Sequence, residues 1–262
     1  MLKEQLFDEG GTTMNDPIFE PHFSAEHLSR KIQYLKNKMK GLPKGKIILR
    51  VNLEYVRIYG NKEISTFEKR TNTPEGRVLA EQVREYQITK KEYDKVSAEF
   101  KKYYPRLIPE KQEEIQRYMP IPHCMSLNYY DNPPDIRNTA VIDTPYIFED
   151  MILRSRFELI AAQTFKAMGI SFKYDIPIQT ENGIYFLDML VPVPERGRCV
   201  GFEFCGKFGD SKYMNNLSTK IVSYSGIGLI PYHDVIFVFG GKTWLPHINE
   251  IKRAIIFGIE NC

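Results

Sequence analysis

A chain of 262 residues, 42% hydrophobic and 26% charged, has an ordinary globular composition and can bury a large core as one elaborated domain or two. No apolar run approaches the roughly 20 residues of a membrane span, and the N-terminus lacks a basic-then-apolar signal, so a cytoplasmic protein with no membrane association is expected. The net charge of +3 is too small to define a partner by itself, while the four cysteines form no C-x-x-C pair and the five histidines no zinc spacing, which excludes a disulfide scaffold and the usual zinc folds. His123 beside Cys124 is a two-residue signal only.

Residues 1–20 mix Gly, Thr and acidic residues without periodicity and read as a flexible tail. Ser24 is a good N-cap, and Leu28, Ile32, Leu35 and Met39 follow at helical spacing up to Gly41. Three short β-rich runs, 46–51, 54–59 and 63–68, predict a three-stranded meander with Gly60-Asn61 at its second turn. Pro74 then opens a helix carrying Val78, Leu79, Val83 and Tyr86, and a second helix is expected from about Thr89 to Tyr104, stopped by Pro105. Residues 21–104 thus form an N-terminal α/β region. It is basic: residues 25–106 hold 20 Lys and Arg against 10 Asp and Glu, a balance of +10.

Residues 105–145 contain seven prolines and are expected to be a linker or an irregular wrapping segment. Beyond them the pattern predicts a helix from about Ser155 to Met168, strands near 173–178, 184–191 and 199–205, a helix near 211–225, and a strand from Asp234 to Phe239. No element is predicted after Phe239, although the domain is taken as 146–262.

Two carboxylates stand in apolar strands. By strand parity Asp188 points with Ile184, Phe186 and Leu190, and Glu203 with Cys199, Gly201 and Cys205, a small-residue set that leaves space around the charge. A lone buried carboxylate is costly, so either these strand faces turn to solvent at an exposed sheet edge or a cation meets the charge; two on consecutive strands can converge on Mg²⁺, or Mn²⁺, which take oxygen ligands. Ser155 and Glu158 have capping-box spacing at a helix start. On the helix after Glu203, Lys220 shares a stripe with Tyr213, Leu217 and Tyr224 that should face the sheet.

Arg154-Ser155-x-x-Glu158, Phe186-Leu187-Asp188, Phe202-Glu203-Phe204-Cys205-Gly206 and the Tyr213, Lys220, Tyr224 series, in this order, resemble the PD-(D/E)XK nuclease superfamily. The resemblance spans roughly residues 145–240. It implies a mixed α+β or α/β fold with a restriction-endonuclease-like core, an α-β-β-β-α-β mixed sheet flanked by helices. It further implies a metal-dependent deoxyribonuclease in which Asp188, Glu203 and the Phe204 carbonyl hold Mg²⁺ or Mn²⁺. Glu158 would complete the shell through a water, and Lys220 would serve as a lysine migrated from the strand to the helix, with Lys207 as its rival. Arg154, Ser155, Lys207, Tyr213 and Tyr224 would support the site or the nucleic acid. Leu187 stands where the family has proline and Cys205 where it commonly has lysine.

DNA is therefore the expected partner, with RNA and a homodimer left open. Two other readings remain: a nucleic-acid-binding module of the same fold with a degenerate site, and an interaction domain built on Tyr55, Tyr59, Tyr129 and Tyr130. If Asp188 and Glu203 hold the metal, replacing either with Ala should abolish cleavage and, by relieving like-charge repulsion, leave stability without metal equal or higher.

Overall fold

The computed structural model describes residues 20–60, 66–109, 120–140, 142, 144–241 and 243–262. The tail before residue 20 and the Gly60-Asn61 turn fall largely outside this range. The N-terminal region begins with α1 (Ala25–Lys40), where the Ser24 hydroxyl accepts from the His27 N–H. Strands β1 (Gly45–Arg50), β2 (Leu53–Ile58) and β3 (Phe67–Arg70) form the expected antiparallel meander. Its third strand lies later than 63–68, and 61–65 are outside the described residues.

The two helices expected over 74–104 are one: α2 runs from Pro74 to Tyr103, capped by the Thr73 hydroxyl. No Gly or Pro interrupts residues 77–103, so nothing breaks the ladder at Thr89, which is buried on the inner face. α2 is long because it serves two partners. Its N-terminal half carries Ala80 and Val83 against Val56 and Ile58 of the meander, and its C-terminal half packs Val96 and Phe100 on Leu28, Ile32 and Leu35 of α1.

The proline-rich stretch is irregular where described, apart from a 3₁₀ turn at His123–Met125 and the five-residue α3 (Leu127–Asp131). It is tied to the second sheet: Tyr129 donates its hydroxyl to the Pro177 carbonyl and Lys173 reaches back to the Tyr130 carbonyl. A small hairpin, β4 (Tyr146–Phe148) with β5 (Met151–Leu153), precedes α4 (Arg156–Met168) and was not predicted.

The second sheet has the order β6-β7-β8-β9, from β6 (Lys173–Thr180), β7 (Gly183–Val193), β8 (Arg198–Phe208) and β9 (Val235–Gly241). The first three are antiparallel; β9 is parallel to β8, reached by a crossover through α5 (Ser211–Gly226). Elements α4 to β9 thus follow the expected α-β-β-β-α-β order within a mixed α+β architecture. α4 and α6 (Ile248–Asn261) cover one face through Phe157, Phe165, Ile251, Ile255 and Ile259; α5, α3 and the 3₁₀ turn cover the other. Because both faces are packed, β8 is buried from Arg198 to Cys205, and Glu203 lies in the interior.

α6 went unread although its isoleucines have helical spacing. Its N-cap is His247, outside the usual Ser, Thr, Asp and Asn set, and Gly258 sits in its last turns. A Cβ at Gly258 would lie 2.7 Å from Ile236 and 2.8 Å from Phe202, so glycine lets α6 approach the sheet. No helix among the described residues is long and apolar enough to cross a membrane.

Candidate metal and phosphodiester site

The two strand carboxylates meet at a break in the sheet. Pairing of β7 with β8 runs from Val193↔Arg198 to Met189↔Phe202 and stops there, and the β6–β7 register skips Asp175 and Asp188. Where the strands part, the Asp188 carboxylate substitutes for a backbone carbonyl: its Oδ2 accepts the Phe204 N–H at 2.7 Å. A strand residue directs N–H and C=O to the same side, so the Phe204 carbonyl faces this gap as well.

Strict alternation fails here. Leu187 and Leu190, three apart, both belong to the cluster under α5, so Asp188 is turned into the gap rather than sharing a face with Leu190. The space expected beside Gly201 is also filled, since a Cβ there would lie 2.8 Å from Leu187 Cδ2. The parity read for Glu203 holds: Cys199 and Cys205 are under α5 with it.

Glu203 is met from the helix. Lys220 Nζ lies 2.7 Å from its carboxylate and donates to the Phe186 carbonyl at 2.8 Å, and the Tyr224 hydroxyl donates to Oε1 at 2.9 Å. Burial pulls the Lys220 pKa down, but the charges of Glu203 and Asp188 outweigh it and the net shift is upward, so the ammonium persists. Burial first, then the Glu203 charge, raises the Asp188 pKa well above its ordinary value. Burial likewise lifts the Cys205 thiol to about 12, a neutral group in contact with Tyr213.

The helix start supplies a third carboxylate, and the capping box expected there is half formed: Ser155 caps the helix, while Glu158 turns to the Ser155 hydroxyl and the Arg154 N–H. Glu158 N–H donates to Ser155 Oγ at 3.1 Å, and Ser155 Oγ–H donates to Glu158 Oε1 at 2.9 Å. Glu158 Oε2 accepts from the Arg154 N–H at 2.9 Å and from the Tyr174 hydroxyl at 2.7 Å. Both oxygens are engaged, which leaves Glu158 reaching any cation only through further lone pairs or a water.

Three participants had not been singled out from the sequence: Asp175, Asn138 and Tyr174. Asp175 adopts φ +58° in the middle of β6, an uncommon conformation for a non-glycine residue. It receives the Arg154 guanidinium at 2.6 Å and the Asn138 amide at 3.0 Å. Burial raises its pKa, opposed by Arg154. Arg154, over the Tyr174 ring, is also 3.9 Å from Asp188 Oδ1. Nothing in the local pattern distinguishes Asp175 from a solvent-facing strand acid; only its positive φ sets it apart.

These groups surround an open cleft of about 430 Å³ lined by Asn138, Arg154, Glu158, Phe186, Asp188, Glu203, Phe204, Tyr213, Asn216 and Lys220. Lys207 is exposed and lines the neighbouring groove instead. Among the described residues no three His, Cys, Asp or Glu side chains already form a metal-holding group. His123, next to Cys124, stacks edge-on against Tyr129.

Comparison with protein-family models, with curated proteins and with solved structures finds no match to this chain.

Proposed function

We propose that this protein is a divalent-metal-dependent nuclease, of the PD-(D/E)XK kind its sequence resembles, which hydrolyses phosphodiester bonds of DNA. The observation that carries this reading is the electrostatic conflict between Asp188 and Glu203 at the sheet break. Glu203 has Lys220; Asp188, raised by burial and by Glu203, has one backbone N–H and a guanidinium 3.9 Å away. Two carboxylates and the Phe204 carbonyl are the hard oxygen donors that Mg²⁺ or Mn²⁺ takes, and a cation between them would remove the conflict.

A cation held by Asp188, Glu203 and the Phe204 carbonyl would supply activated water and stabilise the leaving oxygen. The chain's own residues divide the remaining work. Lys220 stays protonated, so it acts as a fixed positive charge near the phosphate rather than as a base. Arg154, anchored by Asp175, presents guanidinium donors to non-bridging phosphate oxygens. Tyr224 and the Phe186 carbonyl fix the orientation of Glu203 and Lys220.

The test is incubation of the protein with circular DNA, linear DNA and RNA in Mg²⁺, in Mn²⁺ and in chelator. Cleavage of DNA that requires the metal and disappears in Asp188→Asn is the expected result. One observation favours a binding module without chemistry: both Glu203 oxygens already have partners. Calorimetric titration of Mn²⁺ separates the two, since a module with a closed site takes up no metal.

A further inference from the structure

A second groove of about 610 Å³ adjoins the carboxylate cleft and shares Arg154, Glu158, Phe204 and Tyr213 with it. Its far wall is Trp244, the only tryptophan of the chain and 52% exposed. Half-exposing an indole forgoes much of the burial such a large side chain offers, and the loop does not leave it loose. The Gly241 N–H donates to the Trp244 carbonyl at 2.8 Å, and a Cβ at Gly241 would lie 2.2 Å from the indole Nε1. The next residue, Leu245, packs on the core beneath α4. The ring is thus held against backbone with part of its surface open to the groove.

Charge points the same way. Arg156 and Lys207 line the groove, are exposed, and have no ion-pair partner among the described residues. The one carboxylate among the groove's described lining residues, Glu158, is occupied by Ser155, Tyr174 and the Arg154 N–H.

We propose that this groove is a nucleobase-binding subsite, in which the Trp244 indole stacks on an unpaired base of the strand whose phosphate lies in the carboxylate cleft, with Arg156 and Lys207 contacting the backbone beyond it. Stacking on an aromatic ring with cationic neighbours is how unpaired bases are held without sequence readout. The position of the strand rests on the nuclease reading; the stacking does not.

Because Trp244 is the sole tryptophan, its fluorescence reports this groove alone. Titrating the full chain in chelator with a mixed-sequence single-stranded oligodeoxynucleotide should quench the emission saturably. A strand of the same length with abasic sites should quench far less, and inorganic phosphate not at all. In anisotropy with a labelled strand, Trp244→Ala should weaken binding about tenfold, whereas Trp244→Phe keeps most of the affinity. Absence of quenching at occupancies verified by anisotropy, or equal quenching by the abasic strand, would overturn the proposal, and neither readout needs a variant to fold. Quenching without cleavage in metal leaves the subsite standing and removes the nuclease reading; cleavage without quenching does the reverse.

Discussion

Among single side chains, the structure separates two carboxylates that the sequence treats alike. Asp188 is a charge in conflict, so Asp188→Asn should raise stability without metal, and its pH dependence fixes the sign. With a folded pKa above the ordinary 3.8, the native state binds more protons than the unfolded one between the two values. Stability is therefore lost as pH rises through that window. Chemical denaturation from pH 4 upward should show a flatter decline in Asp188→Asn; Asp175 and Glu195, also raised by burial, retain part of the slope. Added Mn²⁺ should raise the melting temperature of the native sequence and not of the variant. Glu203→Ala should behave oppositely, since it strips the buried Lys220 ammonium of its carboxylate, leaving it the Phe186 carbonyl, and takes the acceptor from the Tyr224 hydroxyl, a loss of about 3–5 kcal/mol. The expectation that either removal is harmless holds only for a carboxylate whose sole partner is a metal.

The two lysines part in the same way. Lys220 touches Glu203, whereas Lys207 is solvent-exposed at the end of β8. Lys220→Ala should reduce cleavage by orders of magnitude. Lys207→Ala should leave the rate with saturating DNA nearly unchanged and weaken binding. The reverse pattern in single-turnover kinetics would reassign the catalytic cation.

Among elements, α4 links stability to the site. Its first turn is closed by Ser155 and Glu158, and the same carboxylate fixes the Arg154 backbone, the residue whose guanidinium enters the cleft. Ser155→Ala should cost about 1 kcal/mol in urea unfolding, the usual worth of an N-cap. It should also lower the cleavage rate by loosening Arg154, and Ser155→Thr, which keeps both the cap acceptor and the hydroxyl donor to Glu158, should recover the stability. A variant that loses stability with full activity would confine the cap to folding. β7 and β8 show why sheet breaks matter: continuous pairing would leave Asp188 no N–H to accept and the Phe204 carbonyl no freedom.

Across the protein, the basic N-terminal region sits at the far end of the core from the cleft. Phe23 joins the core cluster, the Ser24 N–H donates to Glu260 at 2.6 Å, and His27 lies 3.6 Å from Glu195 in the β7–β8 turn. α4 spans from the cleft at Ser155 to this seam near Met168, about 20 Å at 1.5 Å per residue. None of the described residues of 20–104 lines either groove. Many of its charges are also internally paired, as in Lys31–Glu92, Lys38–Glu85, Arg57–Glu68 and Arg84–Glu54. A role in holding DNA therefore requires a duplex or strand long enough to reach from the cleft to the exposed lysines. Replacing Lys36, Lys40, Lys44 and Lys46 together by Gln should reduce the log-log salt slope of binding by roughly 0.9 for each phosphate no longer neutralised, and only with long DNA. An unchanged slope with every length would remove the region from the nucleic-acid interface. Cutting the chain near Asp131 is a poorer test, because it strips Phe23 and His27 from the core.

Much of what depends on residues close in the chain was legible in the sequence. Periodicity and caps marked α1, α4 and α5, β-rich runs marked the strands of the two larger sheets though not the β4–β5 hairpin, and i, i+4, i+7 spacing put Lys220 on the stripe that meets Glu203. Local signals also misled, at α2 and α6 through the chain itself and at Asp188 through distant packing. α2 has no internal break, α6 has an unusual cap, and Leu187 and Leu190 share a face only because β7 departs from its partners at Asp188. Which charges are balanced was settled by tertiary packing, because a pKa depends on burial and on neighbours brought from other elements. Packing turned Asp188 to the Phe204 N–H, gave Glu203 both Lys220 and Tyr224, recruited Asp175 to Arg154, set Trp244 beside the cleft, and placed the basic region at the opposite end. Each of these joins distant segments, and spacing along one chain carries no information about the direction in which two such segments pack.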